Sequence, residues 1–170
     1  SAGADRQLVK WSCETENKGA VIAKLPEPVF KIYYDPEQQH CLCGTQSGQL
    51  IIIDIDQNKM VKSFRLSDKA IFDIKEYDQD NYMIISASGE LFILDKKSHI
   101  IQKQLKISDK SLRCISKAYD NELLAIACSD HSIYIIDYYN LKIKERLLGH
   151  DNSIFSCAFP NEGTLLSGSR

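Results

Sequence analysis

The sequence predicts an all-β fold assembled from repeated four-stranded antiparallel units. Three observations carry that expectation. Apolar runs that close on a small or acidic residue recur along the 170 residues, ending at Ser12, Asp54, Asp95 and Asp137 in steps of 42, 41 and 42. A second series keeps the same steps and phase: Val29-Phe30-Lys31-Ile32, Ile71-Phe72-Asp73-Ile74, Leu112-Arg113-Cys114-Ile115 and Ile154-Phe155-Ser156-Cys157. No stretch shows the 3.6-residue apolar period of an amphipathic helix. A fixed period of about 42 residues marks a repeat architecture.

Each unit reads as four strands. In the first complete unit they are expected near Val29–Tyr34, His40–Gly44, Gln49–Ile55 and Met60–Leu66, all rich in β-forming residues. Asp35-Pro36, Ser47-Gly48 and residues 56–58 supply the turns between them. The third stretch, Leu50-Ile51-Ile52-Ile53 and its repeats, is apolar without alternation, which requires burial on both faces. The fourth, as in Ile101-Gln102-Lys103-Gln104-Leu105-Lys106, suits an outer edge guarded by charge. A sheet buried on both faces needs a neighbour on each side, and radial stacking of blades supplies one.

Composition narrows the function classes. Apolar residues make up 44% and charged residues 26%, as in an ordinary globular chain of one domain. A net charge of −2 gives no basic excess to attract phosphates, so no nucleic-acid partner is expected. The longest apolar run, Leu123 to Cys128, falls far short of the roughly 18–20 residues that span a bilayer, and no membrane partner is expected. The six cysteines show no CxxC pair or zinc-like spacing, which favours reduced, buried thiols and a cytoplasmic location.

No nucleotide-binding, metalloprotease or hydrolase motif occurs. His40-Cys41-Leu42-Cys43 looks like a ligand cluster, but on a strand Cys41 and Cys43 share a face while His40 points away. The aspartates closing the third stretches recur at one position, so turn formation explains them better than catalysis. Lys96-Lys97 and the Lys103, Lys106, Lys110 series read as solvated, edge-protecting charge. Neither a cofactor nor a catalytic or metal-binding residue is expected, and the chain is read as no enzyme.

Gly149-His150 with the following Asp151-Asn152-Ser153-Ile154-Phe155 resembles the GH motif and first strand of the WD40 repeat family. Leu166-Ser167-Gly168-Ser169 resembles the second strand of that family, and Ser129-Asp130-His131-Ser132-Ile133 its tight turn and third strand, with Ile136-Asp137 in the WD slot. Ser1 to Trp11 is similar to the same half-repeat. The GH slot elsewhere holds Lys24-Leu25, Leu66-Ser67 and Ile107-Ser108, and Trp11 is followed by Ser12 in place of Asp. In the family a His bonds the turn Asp; here Ser108 would have to serve Asp130.

The resemblance implies a WD40-like β-propeller, here a partial ring of three whole blades and two half blades within residues 1–170. The units fall near 1–25 (half), 26–66, 67–107, 108–148 and 149–170 (half). Ser1 and Ser167 occupy one phase of the repeat. Two readings of that stay open: part of a larger propeller, or a half-propeller that closes with a second copy.

The resemblance also implies a non-catalytic protein–protein interaction scaffold, with a propeller enzyme using a central-channel site, or a purely architectural subunit, as the competing classes. Its partners would be an unknown protein or peptide and the remaining blades of the same propeller. By the same resemblance, the residue after the first apolar anchor of each first strand lines one mouth of the channel: Phe30, Phe72, Arg113 and Phe155. Lys69, Lys110 and His131 lie on loops expected at that end, with Glu27, Asn152, Arg6 and Glu90. These residues form the expected partner site, unless the phenylalanines pack as core between blades.

Overall fold

The computed structural model describes residues 1–13, 19–119 and 122–170. Sixteen strands and no helix are present among them. In chain order they are β1 (Gln7–Lys10), β2 (Ala20–Lys24), β3 (Val29–Asp35), β4 (His40–Thr45), β5 (Gln49–Asp54), β6 (Lys59–Arg65), β7 (Ile71–Glu76) and β8 (Asn81–Ser86). There follow β9 (Glu90–Asp95), β10 (Ile101–Lys106), β11 (Leu112–Lys117), β12 (Leu123–Cys128), β13 (Ser132–Asp137), β14 (Ile143–Leu148), β15 (Ile154–Asn161) and β16 (Thr164–Ser169). They form five sheets: β1-β2, β3-β4-β5-β6, β10-β9-β8-β7, β11-β12-β13-β14 and β15-β16. The predicted strands of the first complete unit match β3 to β6 within a residue or so at each end.

The chain divides into two compact units, Ser1–Ile74 and Lys75–Arg170, with the division inside β7. In the first unit, Leu8, Leu25, Val29, Cys41, Cys43, Ile51 and Ile53 build one apolar cluster between the first hairpin and the β3–β6 sheet. In the second, Met83, Ile85, Leu124, Ile126, Tyr134 and Ile136 belong to one cluster, and Ala125, Ala127, Ile133, Ile135, Ile154 and Cys157 to another under β15.

The burial patterns follow the sequence. The third strands β5, β9 and β13 are buried along almost their whole length, and so are the second strands β4, β8 and β12. The fourth strands β6, β10 and β14 are exposed. Each also carries a bulge at one phase of the repeat, leaving Val61, Gln102 and Lys144 without an opposing residue. A bulge twists an edge away from further pairing.

Two further positions repeat in backbone geometry. The tight turn before each third strand holds a residue at positive φ: Arg6, Gly48, Gly89 and His131. Glu90 is therefore not a turn residue; it opens β9. The turns after β5, β9 and β13 do the same at Asn58, His99 and Leu141. The closing aspartates shape those turns. Asp54 accepts from the amides of Asp56 and Gln57, and Asp137 from those of Tyr139 and Asn140. Asp95 accepts from the amides of Lys97 and Ser98. These contacts support the turn-forming reading.

Two further expectations need correction. Lys96 is not a solvated edge residue: its side chain is 2% exposed and its ammonium lies 2.5 Å from Glu76 Oε1. Burying that ammonium demands an ionic partner, and doublet composition does not reveal one. The cysteines are buried at 41, 43, 128 and 157, but Cys13 is exposed and Cys114 half-buried.

Candidate functional site

A register shift places the expected partner-binding side chains. In β3, Val29 opposes Thr45 and Lys31 opposes Gly44, so Phe30 is the extra residue of a bulge. The same shift isolates Arg113 between Leu112 and Cys114, and Phe155 between Ile154 and Ser156. Such a bulge turns the extra side chain out of the pleat. The anchor just before it, Val29, Leu112 or Ile154, stays buried.

Phe30 is 51% exposed and Phe155 48% within this chain. In the first unit Phe30 stacks on Phe72 with ring centroids 5.8 Å apart and planes 3° from parallel. Beside that stack, Lys31 pairs with the buried Asp73 carboxylate at 2.8 Å. In the second unit the Arg113 guanidinium lies 5.2 Å from the centroid of the Phe155 ring. Its Nε donates to Ser129 Oγ at 2.8 Å, which fixes its direction. Burial pulls the Arg113 pKa below its usual value, the mark of a partly dehydrated cation.

The loop residues are placed as follows. Lys69 and Lys110 are exposed, their backbone amides donating to the hydroxyls of Ser67 and Ser108. His131 is exposed on its turn. Glu27 is committed: its carboxylate accepts from the Ser47 amide at 2.9 Å and the Ser47 hydroxyl at 2.6 Å. Asn152 accepts from the Ser153 amide. The structure thus joins Phe30 to Phe72 and Arg113 to Phe155, with Lys69, Lys110 and His131 as solvated neighbours in the chain.

Asp130 ties its turn together through several side chains. Its Oδ2 accepts from Ser108 at 3.0 Å, Tyr134 at 2.6 Å and Arg146 at 3.2 Å, and its Oδ1 from the Ser132 amide at 3.2 Å. Ser108 does stand in for the absent His. Burial raises the Asp130 pKa, but hydrogen bonds from Tyr134, Cys128 and Ser108 and the Arg146 charge outweigh it, and the net shift is downward. His150, in the GH slot, bonds Ser167 Oγ at 2.7 Å.

One cluster escaped the sequence reading. In the second unit Tyr77 and Tyr138 each donate their hydroxyl to the other's backbone carbonyl. Their rings sit 4.7 Å apart, and the Lys117 ammonium lies 4.2 Å from the Tyr138 centroid. Burial pushes the Tyr77 phenol up to about 12. The two tyrosines lie in hairpin loops and Lys117 ends β11, and the cluster does not recur at the repeat period, so no periodic cue pointed to it. Among the described residues no group of three His, Cys, Asp or Glu side chains could hold a metal ion.

The WD40 family model, described as "WD domain, G-beta repeat", matches residues 141–170. Those residues are similar to a WD40 repeat. A chain from a structure titled "Crystal Structure of Mitotic Checkpoint Complex" superposes with a TM-score of 0.85 at 14% identity, over 98% of this chain. This chain spans 54% of the length of that one. No curated protein sequence matches. Together the repeat and the superposition establish a WD40-like β-propeller fold with four-stranded antiparallel sheets as blades. At that identity the likeness extends to the fold alone. A fold by itself selects no single function.

Proposed function

We propose that the chain is a non-catalytic platform for protein–protein interaction, as WD40 propellers generally are, and that the bulged first-strand positions receive the partner. One observation carries the reading. Phe30 and Phe155 are half exposed on rigid strands, each paired with a second repeat-equivalent residue, Phe72 or Arg113. Aromatic and Arg side chains supply most interface anchors, and a bulge that holds them out needs no ordering on binding.

The chemistry fits a peptide or loop that presents an apolar anchor beside an acidic group. Within the second unit, Phe155 offers apolar area beside Arg113, whose guanidinium is held by Ser129 and already partly dehydrated; the stacked phenylalanines of the first unit offer an apolar patch of their own. Solvated charge and hydrogen-bonding capacity are proposed to come from Lys69 in the first unit and from Lys110 and His131 in the second. A cytoplasmic setting belongs to the same proposal and rests on the cysteine spacing. An array of peptides carrying an aromatic residue next to Asp or Glu, probed with the full chain, tests the idea. Peptides should bind, and Arg113→Ala and Phe155→Ala should each weaken them while circular dichroism is unchanged. Equal binding by both variants overturns it.

A further inference from the structure

We infer that Cys114 and Cys157 form a redox-responsive pair that closes to a disulfide by exchange with a low-molecular-weight disulfide. β11 and β15 pack against each other but belong to separate sheets, with no backbone ladder between them. Cys114 Sγ lies 3.6 Å from the carbonyl oxygen of Cys157, and Cys157 Sγ lies 3.9 Å from that of Cys114. Each thiol therefore rests on the other residue's backbone. Cys157 Sγ also lies 3.6 Å from the Ala125 carbonyl oxygen, and closure requires both thiols to turn from these carbonyls toward each other by rotation about their Cα–Cβ bonds.

The other cysteines are less suited. Cys41 and Cys43 have sulfurs 4.0 Å apart, but both are buried and sit two residues apart on one strand, where closure would bend β4. Cys128 is buried, and Cys13 is exposed with no cysteine near it in sequence. Cys114 alone combines partial exposure with a neighbouring thiol on a different sheet.

The chemistry balances as two exchanges. The Cys114 thiolate attacks one sulfur of the small disulfide, whose S–S bond breaks and releases one small thiol. Cys157, after losing its proton to solvent, attacks the Cys114 sulfur of the mixed disulfide. The second small thiol then leaves and takes up a proton. Two protein thiols are oxidised and one small disulfide is reduced. The new bond would join the strands that carry Arg113 and Phe155, one and two residues away, and so fix the spacing of that cation–π pair.

The test uses the full chain with Cys13→Ser to silence the exposed thiol. After incubation with oxidised glutathione, blocking of free thiols and digestion, mass spectrometry should find a Cys114–Cys157 linked peptide that dithiothreitol reverses. Release of the β15–β16 hairpin by protease should slow by roughly tenfold, because the bond closes a long loop. Cys114→Ser and Cys157→Ser should each remove both effects, with circular dichroism showing that they remain folded. A folded chain that keeps Cys114 reduced, or holds it only as the glutathione adduct, overturns the inference. No partner enters these readouts, so they stand apart from the binding proposal.

Discussion

Three side-chain donors and one backbone amide converge on the Asp130 carboxylate, and removing it would strand them near a packed turn. Asp130→Ala should therefore cost about 1–3 kcal/mol, read as a lower denaturant midpoint with an unchanged slope. Its lowered pKa gives this contribution a direction in pH. The carboxylate's share of stability is present above the ordinary Asp range and is lost as pH falls through the depressed folded value. Asp130→Asn should flatten acid destabilisation below about pH 4, and an unaltered acid limb would contradict the role. Under the proposed function Arg113 serves binding rather than stability. Arg113→Ala should weaken a bound acidic–aromatic peptide by about 1–3 kcal/mol in calorimetry and leave the melting temperature near its original value. Asp130 and its Ser108 partner were legible as slots in a repeat. Arg146 and Tyr134 were not, because no repeated pattern ties them to the turn.

At the level of strands and turns, backbone conformation decides which substitutions are tolerated. Gly89 has φ of +82°, and a Cβ there would lie 1.8 Å from the Ser108 carbonyl oxygen. Gly89→Ala should destabilise by about 3 kcal/mol in a denaturant titration. His131 holds the same phase with φ of 67° and bears a side chain in a left-handed conformation. His131→Gly should stabilise by about 0.5–1 kcal/mol, and a loss instead would show that the imidazole contributes to the turn. The Tyr77–Tyr138 clasp makes an alkaline prediction. With its folded pKa raised to about 12, the Tyr77 phenol adds stability fully present below the ordinary tyrosine value and lost as pH climbs through the folded one. Tyr77→Phe should remove that part of the alkaline decline. Strand positions were legible because burial imposes alternation or its absence on every repeat. The bulges were not, since register depends on which two residues face each other across strands, and composition leaves that open.

Across the chain, order should follow burial. The second and third strands β4, β5, β8, β9, β12 and β13 are shielded almost completely, whereas β1-β2 and β15-β16 are two-stranded sheets. A two-stranded sheet is marginal without support. Native-state hydrogen exchange should therefore show β1, β2, β15 and β16 exchanging well before β5, β9 and β13. Equal protection throughout would mean that the chain opens only as a whole. The first hairpin also holds the single tryptophan of the sequence. Trp11 is 57% exposed just beyond β1, its indole N–H donating to Ser1 Oγ at 2.9 Å. Indole emission from this chain is thus that of a wet fluorophore even in the native state, and it reports on the Ser1–Ile74 unit alone. An unfolding curve followed by that emission would trace the fraying of one hairpin. Loss of the Lys75–Arg170 unit would have to be followed through its tyrosines, with the Tyr77, Tyr138 and Tyr139 cluster as the natural chromophore.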